Sequence, residues 1–334
     1  MYGDFRLRFE NNARFGEGNL RNRGVLRARI GADYAIGKRV TTGLRLATGS
    51  QDNPNTTDVT IGNFNDDLQV SLDLAYLTYA SGRVALTGGK FRNPFLKTDM
   101  VWDGDVNPQG ATGALQLPAL AGIPVRAKGM FFVIDEQATG PNSVMEGAQL
   151  VTGLIDSPAW KLNVALSYYD YHIGNLLNAD AGDIRSNKLT EEGDAYRSDF
   201  DLADIIAQVE YDGLGEQWPL RGVADYVYNA GAAGEDDEGV SVNAFVGRRT
   251  AKGDWRFRYG YARVETDAVL AAFSHDNTGL PTNYRQHTLS ADYVASSFAR
   301  LNLTWYLYQA LDASIETASD RYTSRIRLNV SVSF

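Results

Sequence analysis

The 334-residue sequence has no cysteine and no long run of apolar residues. The lack of thiols excludes a disulfide scaffold and fits the oxidising periplasm or cell surface. A membrane-spanning helix needs roughly 20 consecutive apolar residues, so a helical membrane protein is excluded as well. The mean hydropathy of -0.30 is typical of a water-soluble chain. A membrane barrel has the same average, however, because only every second strand residue contacts lipid.

Histidines are also few, and the net charge is negative. The formal net charge of -9 argues against nucleic acid as a partner. His172, His275 and His287 are the three histidines, and none belongs to a serine–carboxylate motif or to a run with metal-ligand spacing. We therefore expect no catalytic residue, no metal and no cofactor. An enzyme is the weaker alternative, and hydrolysis of a phospholipid or peptide would reveal it.

The strongest pattern that is present is a two-residue alternation of apolar and polar side chains, which predicts β-strands. Residues 5–9 read Phe-Arg-Leu-Arg-Phe, and no stretch shows a sustained helical period. Further alternating sets, given by their first and last apolar residues, are Leu26–Tyr34, Val40–Leu46, Leu68–Tyr76, Trp160–Tyr168, Ala203–Tyr211, Val240–Val246, Trp255–Tyr261, Leu301–Leu307 and Ile326–Phe334.

The connections between these sets alternate in length. Short turns are predicted at Ile36–Arg39, Ser81–Arg83, Asp156–Ala159, Gly213–Pro219, Thr250–Gly253 and Ser296–Ser297. Long polar segments are Asn11–Asn22, Ser50–Asp66, Asn93–Thr112, His172–Phe200, Ala230–Glu238 and Asp267–Arg285. Short periplasmic turns and long extracellular loops are typical of outer-membrane barrels.

These patterns predict an all-β fold, a transmembrane antiparallel β-barrel of about 16 strands. Residues 1–334 are expected to form this single domain, with Met1 added ahead of a mature sequence. The strand count depends on a short strand at Gly113–Ala119 and a turn at Leu120–Gly122. A soluble β-sandwich would alternate too, but aromatic residues near strand ends, as at Trp255–Tyr261, favour the headgroup level of a membrane.

Two segments resemble known membrane barrels. Ile326–Phe334 is similar to the last strand of Gram-negative outer-membrane proteins, whose terminal aromatic residue is read by the barrel-assembly machinery. Gly88–Phe95 closes a predicted strand and opens a long loop, and it resembles the equivalent segment of the putative porin family of proteobacteria. The resemblance implies a water-filled diffusion channel for small hydrophilic solutes and ions, an outer-membrane location, a homotrimer, and a third loop that folds into the barrel.

If the apolar set faces lipid, the alternate set faces the lumen. The first and last strands pair in a closed barrel, so seven arginines should form one surface, which we call the basic wall. They are Arg6, Arg8, Arg27, Arg29, Arg45, Arg325 and Arg327. Other lumen candidates are Arg126, Lys128, Arg256 and Arg258.

The third long segment, 93–112, carries Asp99, Asp103 and Asp105. If it folds inward as the resemblance implies, these carboxylates should face the basic wall and constrict the pore, because rings of charge set channel selectivity. A weak anion preference is then expected. The open alternatives are a channel selective for small organic anions or sugars, and a surface-binding barrel without a channel. Expected contacts are outer-membrane lipid and lipopolysaccharide, with divalent cations as a further possibility for the acidic run 235–238.

Overall fold

A computed structural model describes residues 1–16, 18–53, 55–62, 67–314 and 320–334. Within these residues, seventeen strands form one antiparallel sheet. The strands are β1 (Tyr2–Arg14), β2 (Gly18–Ile36), β3 (Val40–Thr48), β4 (Val59–Thr60), β5 (Val70–Ser81), β6 (Val84–Lys90), β7 (Gln109–Gln116), β8 (Val125–Asp135), β9 (Ser143–Asp156), β10 (Trp160–His172), β11 (Phe200–Tyr211), β12 (Leu220–Asn229), β13 (Glu238–Gly247), β14 (Trp255–Val264), β15 (Tyr284–Val294), β16 (Ala299–Ala310) and β17 (Thr323–Ser333). One short helix, α1, spans Ala181–Ile184.

The sheet closes because β1 pairs with both β2 and β17. The strand β4 has two residues and pairs only with β2, where it extends the sheet beyond the end of β3. The other sixteen strands form the wall, so the predicted antiparallel barrel is confirmed. No helix in the described residues is long and apolar enough to span a membrane.

The alternation separates the two faces of the wall. On β1, Phe5, Leu7 and Phe9 are 39%, 43% and 53% exposed, whereas Arg8 and Glu10 are 8% and 0% exposed. The outward side chains are therefore apolar and the inward ones polar, as lipid outside and water inside require. Leu44, Leu72 and Leu328 are likewise exposed on the outer face.

Aromatic side chains gather where the strands meet the short turns. Trp160 and Tyr211 lie on neighbouring strands next to two short turns, with ring centroids 4.4 Å apart, and Trp255 and Tyr293 form a similar pair at 4.8 Å. Amphipathic rings prefer the membrane–water interface. These pairs therefore mark the height of one lipid boundary on the barrel.

Two predicted loops differ most from the structure. Asn11–Asn22 is not a long loop, because β1 continues to Arg14 and β2 begins at Gly18. In the third long segment, Gln109–Thr112 belong to β7 and the loop is residues 91–108. A strand that rises beyond the bilayer has polar side chains on both faces, so composition alone cannot separate it from a loop. Residues 54 and 63–66 of the predicted segment Ser50–Asp66 lie outside the described residues.

Candidate functional site

Residues 91–108, here called the inner loop, leave the barrel wall early. The flanking strands β6 and β7 have seven and eight residues. Gly89 and Gly110 lie opposite each other where the loop departs, with φ values of 111° and 145°. A Cβ atom would lie 2.3 Å from the Ala75 oxygen at Gly89 and 2.1 Å from the Phe131 oxygen at Gly110. Only glycine fits this geometry, so these positions allow the chain to turn inward.

Trp102 anchors the inner loop inside the barrel. Its side chain is fully buried, and its ring stacks on Phe273 at 5.7 Å and meets the edge of Tyr169 at 5.8 Å. Lys128 adds a polar contact by donating from Nζ to the Pro94 oxygen at 2.6 Å. The loop therefore rests against the inner face of β8–β10 on an apolar cluster.

A second loop, residues 265–283, also folds into the barrel. The Asp103 amide donates to the Phe273 oxygen at 2.8 Å, which joins the two loops. Ala268, Val269 and Leu270 are almost completely buried. The sequence prediction treated this segment as an ordinary outer loop. The apolar run 268–273 within a polar segment is the signal that could have identified it.

The seven arginines of the basic wall lie on the inward faces of β1, β2, β3 and β17. Arg27 and Arg29 share the Asp4 carboxylate, with shortest N–O distances of 2.8 and 2.7 Å. Arg29 also donates from Nη1 to Asp105 of the inner loop at 3.0 Å. The structure thus brings the basic wall and the inner loop together at Asp105.

The remaining wall arginines also pair with polar side chains, and sequence reasoning did not identify Glu10 or Asp58 among them. Glu10 is fully buried and accepts from Arg327 at 2.7 Å, and Arg8 lies 2.6 Å from Asp58, which also pairs with Arg6. Arg45 pairs with Asp73, and Arg325 donates to Asn12. Asp4 and Glu10 share the strand parity of Arg6 and Arg8, so alternation could have found them. Asp58 lies in a loop and carries no such signal.

The three aspartates of the inner loop occupy different surroundings. Asp105 alone of the three contacts the basic wall, so the expectation is wrong for Asp99 and Asp103. Asp103 is buried beneath the second loop and accepts the Asp276 amide at 3.3 Å. Burial and the Asp276 carboxylate raise the pKa of Asp103 well above its usual range. Asp99 is exposed and accepts from Asn277 at 3.2 Å.

The other predicted lumen residues lie on two separate strands, Arg126 and Lys128 on β8 and Arg256 and Arg258 on β14. Arg256 pairs with Asp292 at 2.9 Å, and Arg258 donates from Nε to Asn243 at 2.9 Å. Arg126 is exposed at the beginning of β8.

The described residues contain no group of three or more His, Asp or Glu side chains able to hold a metal ion.

The comparison with known families decides the class of protein. Residues 16–203, more than half of the chain, match the family described as "Putative porin". The chain belongs to this porin family. Comparison with curated proteins gives no match.

Solved porins share the fold of this porin at low sequence identity. The high-pH structure of Pseudomonas putida OprB is 13% identical, with a TM-score of 0.66 over 100% of this chain and 94% of that chain. Salmonella typhi OmpF in complex with daunomycin is 10% identical, with a TM-score of 0.59 over 100% and 96%. The trimer form of Vibrio cholerae OmpT is 11% identical, with a TM-score of 0.55 over 100% and 99%.

Family membership makes this protein an outer-membrane channel of a Gram-negative bacterium, as the sequence predicts. In such barrels the short turns face the periplasm. Gly3 and Phe334 bond to each other at the short-turn end, which is therefore the periplasmic end of the porin.

Proposed function

We propose that this porin passes small hydrophilic solutes and ions by passive diffusion, with a weak preference for anions. Asp105 of the inner loop lies directly against the basic wall, and we place the narrow part of the pore beside this contact. The observation that carries this proposal is the 3.0 Å contact between Arg29 and Asp105. Fixed charges of both signs at the edge of an aqueous passage produce a local field, which orients water and dipolar solutes.

The sign of the preference follows from the charges around the wall. Its seven arginines contact Asp4, Glu10, Asp58, Asp73 and Asp105. The positive charges therefore exceed the negative ones by two, and a small excess of positive charge supports a weak anion preference. The acidic outer run 235–238 lies in a wider region and should matter less.

Reversal potentials in a planar bilayer measure this preference. Under a potassium chloride gradient, the reversal potential of the wild-type channel should be displaced from zero toward the chloride equilibrium potential. The anion-to-cation permeability ratio should be only a few-fold above one. The ratio should move toward one as salt increases, because ions screen the charges of the pore. A clear potassium preference at low salt would contradict the proposed role of the basic wall.

A channel selective for small organic anions is the second candidate, and the excess of arginine favours it. A sugar channel has less support. Tyr169, Tyr306 and Tyr308 have lumen parity, but all three are buried in the apolar cluster beneath the inward-folded loops. A surface-binding barrel without a channel would show no conductance at all.

We propose that the porin assembles as a homotrimer in contact with outer-membrane lipid and lipopolysaccharide. The support is the apolar outer face together with the family, and OmpT, which shares the fold, is described in a trimer form. In mild detergent, the particle should have three times the 36.7 kDa of one chain. A monomer mass at every detergent concentration that keeps the barrel folded would contradict this assembly.

A further inference from the structure

A second group of arginines faces the lumen beside the basic wall, on β14, β16 and the turn before β14, and β16 pairs with β17 of that wall. This group surrounds a cavity of about 660 Å³ at the short-turn end, which we call the periplasmic chamber. Nine arginines and two aspartates line this cavity. Four of the arginines belong to the basic wall, Arg92 comes from the inner loop, and the others are Arg249, Arg256, Arg258 and Arg300.

Phe245 holds part of this second group in place. The guanidinium carbons of Arg256 and Arg258 lie 5.0 and 5.7 Å from the centre of the Phe245 ring, and Arg221 lies 5.6 Å from it. Stacking against an aromatic ring fixes a guanidinium group but leaves the N–H groups in its plane free to bind a ligand. The arginines are therefore positioned before any ligand arrives.

The charges of the chamber are only partly balanced. The nine arginines contact five carboxylates in the described residues, those of Asp4, Asp58, Asp73, Asp105 and Asp292. Within the same residues, Arg92, Arg258 and Arg300 contact no carboxylate. Arg92 donates to the Tyr2 hydroxyl at 2.6 Å, and Arg258 donates to Asn243. The nine arginines around this volume thus carry four more positive charges than the carboxylates they contact carry negative ones.

We propose that the periplasmic chamber binds a compact oxyanion with two or more negative charges, of the class of inorganic phosphate or a small di- or tricarboxylate. This rests on the proposed channel function and names its preferred solutes. The volume lies in the range of small-molecule sites. Planar guanidinium groups bind phosphate and carboxylate oxygens in pairs. A multivalent anion can contact arginines of both groups at once, whereas chloride contacts one group and passes on.

Blocking of single channels tests this site. In potassium chloride, citrate or inorganic phosphate added to the wild-type channel should interrupt the current, and acetate at the same concentration should not. In the Arg258→Gln, Arg300→Gln double variant, the half-blocking concentration should rise about tenfold or more, since each lost contact to a charged group removes a comparable factor. Citrate and phosphate, used separately, show whether carboxylate or phosphate binds more tightly.

Arg83→Gln is the matched control, because Arg83 is exposed in a short turn and does not line the chamber. The half-blocking concentrations of citrate and phosphate for this variant should equal those of the wild type. Normal conductance with no block by either oxyanion overturns the chamber proposal and leaves the channel function standing. Absence of any conductance removes the channel function instead. Calorimetric titration of the folded protein in detergent with citrate then still measures the site, and no binding there also overturns it.

Discussion

Replacement of both Arg27 and Arg29 by serine should shift the selectivity of this porin toward cations and remove its weak anion preference. The two arginines share Asp4, and Arg29 also contacts Asp105. Their removal takes away two positive charges and leaves two carboxylates without these partners in the narrow part of the pore. The permeability ratio should change several-fold, read from the reversal potential under a salt gradient.

The matched control replaces Lys38 and Arg39 by serine. These residues are exposed in the short turn between β2 and β3 and carry the same charge. The control should keep the wild-type preference, because charges at a wide mouth are screened within about 10 Å at 0.1 M salt. If the Arg27–Arg29 variant gives the same reversal potential as the control, the basic wall does not line the constriction.

Trp102→Ala should release the inner loop and raise the conductance. Trp102 contacts Phe132, Tyr169, Tyr171 and Phe273, so it joins the inner loop, the second loop and the wall. Removal of a buried tryptophan costs about 3–5 kcal/mol. The substitution should destabilise the docked position of the inner loop and not the barrel wall, because the backbone hydrogen bonds of the closed sheet do not involve this side chain. Single channels should show larger and noisier currents.

Trp160→Ala provides the comparison, since Trp160 is about half exposed on the outer face near a short turn. This variant removes the same side chain without touching either inward loop, and it should conduct like the wild type. Both variants should retain the β-sheet circular dichroism spectrum. A Trp102→Ala channel with wild-type conductance and noise would mean that the inner loop stays in place without its aromatic anchor.

The wall of the barrel could be predicted from the sequence because alternation is a local property. Phe5 and Arg6 differ by one position, and that difference alone places one in lipid and the other in the lumen. The inward parity of all seven wall arginines follows in the same way. The pairing of β1 with β17 needs only the additional assumption that the sheet closes.

The loop contacts could not be predicted because no periodicity governs them. Asp58 reaches Arg8 across 50 residues of sequence, and Arg327 contacts Asn277 of the second loop. Asp103 and Asp105 are two positions apart, yet one is buried between loops and the other faces the basic wall. Their different surroundings depend on the position of Trp102 and Phe273, which is set by packing of distant segments.

The pairing of β1 with β17 has a consequence for assembly. The contact register runs from Asp4 opposite Ser333 to Arg14 opposite Thr323, so it joins segments more than 300 residues apart. Until they meet, two strand edges expose unpaired amide and carbonyl groups that could join another chain. Phe334 completes this seam, because its ring occupies the space that a side chain at Gly3 would need. Closure of the seam is therefore the step at which an aggregation-prone sheet becomes a cylinder whose sixteen described wall strands all have partners on both sides.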